Sequence, residues 1–127
     1  MEDYRHIEVP IGPDAATAGT DASAFRSINE PGTFVLEAAQ FLPDAAITAD
    51  GTNYATIGLE IDGTDAVTDI TSASTSYVAG TAVDLTLASG SAIELDGETG
   101  NLESTCVKAA SGVAVSGSIV CRLRKLR

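Results

Sequence analysis

At 127 residues the chain has room for one domain with one core, and a 44% hydrophobic content is enough to build it. Eighteen Asp and Glu against seven Lys and Arg give a formal charge of −11, which disfavours nucleic acid and anionic membrane as partners, because phosphate binding needs a positive face. Trp is absent, only three Phe occur and much of the apolar content is Ala, so the core is lean and a partner is expected to add to stability.

In chain order, Ile7, Val9 and Ile11 alternate with His6, Glu8 and Pro10. This predicts a short strand ended by Pro10 and placed at a sheet edge. Residues 12–24 are small and turn-rich and read as a loop or flexible arm, with one helical turn over Asp21–Ile28 capped by Asp21. Residues 1–30 thus form an N-terminal strand and arm, and residues 31–127 a β-sandwich domain. Glu30-Pro31-Gly32 is a turn. Thr33–Gln40 is an almost continuous apolar run, which suits a strand covered on both faces and stopped at Pro43.

The strongest signal lies in the middle. Ala55, Ile57, Leu59 and Ile61 alternate with Thr56, Gly58, Glu60 and Asp62, between the turn residues Asp50–Asn53 and Asp62–Asp65. That period is the mark of a half-buried strand, here the central one of an antiparallel sheet. Shorter strands follow at Ala66–Thr71, with Val67 and Asp69 on one face, at Ala82–Leu87 and at Ser91–Leu95; Ala46–Ala49 is a short one upstream. Leu102–Ala110 and Ser118–Leu123 close the chain. The expected fold is all-β: an antiparallel, jelly-roll-like β-sandwich of about eight strands with an N-terminal arm.

The alternation in the last two strands places Thr105 and Val107 inward, Cys106 and Lys108 outward, and Ile119, Cys121 and Leu123 inward. A disulfide would then need a bulge, so two free thiols are expected.

Catalytic chemistry finds little support. His6 is the only histidine, and the cysteines lack metal-ligand spacing. No glycine-rich segment follows a strand and opens a helix. No enzyme activity and no cofactor are expected. Calcium is the open alternative, because Asp62, Asp65 and Asp69, and Asp96, Glu98, Asn101 and Glu103, gather oxygen ligands in loops; neither spacing matches an EF-hand, and Asp-Gly is also a common turn pair. Met1–His6 has no apolar core of a secretory signal, and no run approaches a membrane span, so the expected site of synthesis is the cytoplasm.

Charge is distributed unevenly. No Lys or Arg lies between Arg26 and Lys108, while residues 122–127 carry four. The two chain ends supply the contact candidates: Tyr4, Arg5 and His6 in the first strand, and Arg122, Arg124 and Lys125 in the basic end.

The run Pro31-Gly-Thr-Phe-Val-Leu-Glu-Ala-Ala-Gln-Phe-Leu-Pro43, the segment Ala46–Ile61 and the ending Ala109-Ala-Ser-Gly-Val-Ala-Val115 resemble head decoration (cement or head-spike) proteins of tailed bacteriophages, over residues 31–121. The resemblance implies a jelly-roll-like sandwich that binds the major capsid protein on the outer surface of the phage head and stabilises it, commonly as a homotrimer. A phage tail or fibre module, or another surface-binding sandwich, is the alternative.

Overall fold

In the computed structural model the described residues are 3–14, 19–20, 24–88 and 93–126, and they contain strands and turns but no helix. The strands are β1 (Tyr4–Asp14), β2 (Gly19–Thr20), β3 (Phe25–Ser27), β4 (Thr33–Pro43), β5 (Ala55–Ile61), β6 (Thr64–Asp65), β7 (Ile70–Thr71), β8 (Val83–Leu85), β9 (Ile93–Asp96), β10 (Asn101–Lys108) and β11 (Val115–Lys125). They form two antiparallel sheets packed face to face. Sheet A runs β1-β11-β4, with β8 and β9 end to end along the far side of β4. Sheet B runs from β2 and β3, end to end along β10, through β10 and β5 to β6 and β7.

Counting each of the pairs β2/β3, β6/β7 and β8/β9 as one broken strand leaves eight positions. The first then pairs with the eighth, the second with the seventh, the third with the sixth and the fourth with the fifth. This is the pairing of a jelly roll. The breaks all fall on edge strands, where one side of the ladder is open and a bulge or gap costs fewest hydrogen bonds.

The strand β5 behaves as its alternation predicts. Ala55, Ile57, Leu59 and Ile61 are buried, and β5 lies between β10 and β6/β7. The hairpin after it turns on Asp62 and Gly63, both at positive φ (52° and 84°), which is the geometry of a two-residue type I′ turn. The core lies between the sheets: Val9 and Ile11 from β1, Phe34, Leu36 and Phe41 from β4, Leu102 from β10, and Val115, Ile119, Cys121 and Leu123 from β11. Tyr77 closes one end, edge-on to Phe41, with its hydroxyl donating to the Thr71 carbonyl at 3.0 Å.

Several local expectations are corrected. β1 continues past Pro10 to Asp14, with a bulge after Ile11, because Pro10 lies at the sheet edge where no N–H is needed. Within the helical turn expected over Asp21–Ile28, Phe25–Ser27 is a strand on β10, and residues 21–23 lie outside the described residues. The apolar run of β4 is covered on both faces only over Phe34, Val35 and Leu36, which are all buried, while further along Ala38 and Gln40 are exposed. It has a bulge at Glu37, opposite the Arg122–Leu123 step, which moves the inward phase from Phe34 and Leu36 to Ala39 and Phe41.

β10 has the opposite phase to the one expected. Leu102, Ser104, Cys106 and Lys108 are buried, while Val107 is exposed. Leu102 anchors this phase from the start of the strand, and cross-strand neighbours in one ladder must share a face. Both cysteines are buried free thiols; burial pushes the Cys121 thiol up to about 12. Asp69 does not share a face with Val67. It is exposed, and a Cβ added to Gly58 would stand 2.1 Å from its Oδ1. Ala46–Ala49 contributes a single bridge, Ile47 to Tyr77, in place of a strand.

Candidate functional site

The two segments that carry the contact candidates are neighbours. β1 pairs with β11 in a register that sets Tyr4 opposite Arg124, Arg5 opposite Leu123 and His6 opposite Arg122. All six candidate residues therefore lie on one two-stranded patch of sheet A. They divide into two groups.

Arg5, Arg124 and Lys125 are engaged within the chain. The Arg5 guanidinium grips Glu30 with two parallel bonds, Nε to Oε1 at 2.9 Å and Nη2 to Oε2 at 2.8 Å, and also pairs with Asp3. Lys125 Nζ reaches the same Glu30 carboxylate at 3.0 Å. Arg124 Nε donates to Glu37 Oε2 at 2.8 Å. Hydrogen bonds from Arg5 and then Lys125 hold the Glu30 carboxyl down to about 2, and Glu30 in turn raises Arg5. This network ties the first strand, the turn before β4 and the last strand together. Its bidentate Arg–carboxylate geometry makes it more than a casual surface contact.

Tyr4, His6 and Arg122 form the second group, on the outer face. The Arg122 guanidinium lies over the Tyr4 ring, 4.1 Å from its centroid. Arg122 pairs with no carboxylate among the described residues. Beside it is a depression of about 220 Å³ lined by His6, Ala38, Gln40, Asp84, Val120 and Arg122. The small side chain of Ala38, opposite Arg122 in the ladder, leaves this space open. On the far wall Gln40 Nε2 donates to Asp84 Oδ1 at 2.7 Å, which fixes both groups. The depression thus offers donors at one end and a carboxylate at the other, with no nucleophile and base in contact. It suits recognition of a polar surface.

Glu30, Glu37, Gln40 and Asp84 were not singled out in the sequence. Glu37 carries a signal, being the one charge inside an apolar run. Gln40 and Asp84 are 44 residues apart and meet only through the β4–β8 pairing, which no local pattern announces.

The acidic loops use their oxygens on the backbone. Asp96 Oδ1 accepts from the N–H groups of Glu98 and Thr99, and Asp62 Oδ1 from that of Asn101. The outer face of sheet B carries a row in which Glu103 faces Glu60, and Glu60 faces Asp65. Desolvation, then a hydrogen bond with Glu103, raises the Glu60 carboxyl from its ordinary value. Among the described residues no three His, Cys, Asp or Glu side chains gather as a metal-binding group.

No family model, curated protein or solved structure matches this chain.

Proposed function

We propose that this chain is a non-enzymatic virion structural protein that decorates and stabilises the outer surface of a phage head. The head assignment rests on the resemblance in residues 31–121. The contact surface rests on one observation: an acidic chain presents Tyr4, His6 and Arg122 together on the outer face of sheet A, beside an open polar depression. The docking partner is then an acidic patch of the major capsid protein. Binding only the assembled shell stabilises that shell by mass action. A rigid sandwich suffices for this role, and no reaction is required of it.

The test is cosedimentation of the purified protein with its cognate capsids. Wild type should pellet with capsids, and Arg122→Glu should lose most of that binding while keeping its melting temperature. If wild type stays in the supernatant across a range of salt, the proposal fails.

A further inference from the structure

Among the described residues, the edge of β1 away from β11 is open over one short stretch. Lys125 N–H donates to the Asp3 carbonyl at 2.8 Å, one step before the Tyr4–Arg124 pair. Backbone groups alternate in direction along an antiparallel strand, so odd-numbered residues of β1 face β11 and even-numbered ones face away. Two further contacts agree. The Tyr4 carbonyl accepts from Arg5 Nη1 at 3.0 Å, and the Pro10 carbonyl accepts from Ser104 Oγ at 2.8 Å, both away from β11. Pro10 has no N–H. Between these closed flanks, the N–H and C=O of His6 and Glu8 face outward, and no bond to either residue's backbone occurs outside the β1–β11 ladder among the described residues.

The geometry points to a second copy of this chain as the occupant, pairing β1 with β1 antiparallel about a two-fold axis at Ile7. In that register each His6 stands opposite Glu8 of the second copy. Four backbone hydrogen bonds form, two for each such pair. Tyr4 falls opposite Pro10 of the second copy. There the missing proline donor leaves nothing unmet, because Arg5 already satisfies the Tyr4 carbonyl.

The side chains fit the same register. His6 and Glu8 are exposed and on the outer face, so they become direct cross-strand neighbours twice over. Glu8 has no ion pair in its own chain among the described residues, since its ladder partner is Val120. His6 has Arg122 behind it. A carboxylate of the second copy therefore meets an imidazole backed by a guanidinium that pairs with no carboxylate among the described residues. The contact is isologous, as a two-fold pairing requires, and it joins the two copies of sheet A into one continuous sheet. So short a pairing buries little area, which makes the dimer weak and reversible.

Sedimentation velocity across a concentration series reaching the millimolar range tests this. The mass should rise from the 12.9 kDa of one chain towards twice that value. Glu8→Pro removes the outward N–H from each copy but, like Pro10, leaves the β1–β11 ladder intact. Losing two such hydrogen bonds should weaken association roughly thirtyfold. His6→Asp places like charges opposite each other and should weaken it roughly tenfold, while His6→Lys should not. Circular dichroism checks that each variant is folded. A mass that stays at one chain, a trimer, or a dimer indifferent to both Glu8→Pro and His6→Asp overturns the pairing. The pairing does not rest on the capsid proposal: a protein that dimerises in this way but fails to sediment with capsids overturns that proposal alone.

Discussion

Two glutamates show how position decides what a carboxylate does for this fold. Glu30, held down to about 2 by Arg5 and Lys125, favours the folded state whenever it is charged. Its contribution is complete above its ordinary value of 4.5 and is lost as pH falls from there towards 2. Glu30→Gln should lower the melting temperature at neutral pH, and the variant and wild-type curves should converge near pH 2. Glu60 has the opposite sign. Its folded value is raised by desolvation and by Glu103, so the protonated form favours folding. That contribution is complete below 4.5 and is lost as pH rises through the raised value. Glu60→Gln should therefore raise the melting temperature at neutral pH and give no gain below pH 4.5. Thermal melts over a pH series check both variants, and a Glu60→Gln gain that persists in acid would contradict the Glu60–Glu103 account.

Within the elements, one close constraint set by side chains is at Gly58. It sits in the middle of β5, and Asp69 lies against it. A methyl group there would stand 2.1 Å from Asp69 Oδ1 and 2.9 Å from Thr105 Oγ1. Gly58→Ala should cost roughly 1–3 kcal/mol, the usual range for overpacking. Asp69→Ala in the same chain should recover much of that loss, and denaturant unfolding of the two single variants and the double variant reads the coupling. The same pair shows what a sequence carries. The alternation of β5 was legible because its inward residues are bulky and its outward ones polar or small. The position of Asp69 was not, because it depends on how the broken β6–β7 edge folds back over β5.

Two other elements mislead for different reasons. In β10 the residues 103–108 are small, polar or mixed, so either phase reads plausibly until Leu102 is taken as the anchor. In β4 a bulge hides the period, and an unbroken apolar run imitates a strand buried on both sides. The contact candidates follow from position in the first strand and from the basic end, not from any pairing. The fold pairs the two segments that carry these candidates, but Glu30 and Glu37 already engage Arg5, Arg124 and Lys125, and that pairing could not be read from the charges alone.

At the scale of the whole molecule, eighteen acids against seven bases leave a net charge of −11, and this excess negative charge repels itself in the compact state. Salt screens that repulsion over about 10 Å at 0.1 M, while the bidentate Arg5–Glu30 pair is shorter than this and weakened less. The melting temperature should rise between very low and moderate ionic strength at neutral pH. A fall would mean that local ion pairs outweigh the net repulsion.

β11 is the last strand in the chain, yet it occupies an inner position of sheet A, between β1 and β4. Everything that sheet A joins to it is synthesised earlier and must wait. On the ribosome, β1 and β4 emerge without the strand that links them, and their apolar faces stay uncovered until residues 115–125 leave the exit tunnel. Folding of this sheet therefore waits for β11, closed by pairing between strands far apart in sequence, and such long-range closure is slow. Until then the nascent chain offers open strand edges to any neighbour, and its dense negative charge is what keeps those neighbours apart.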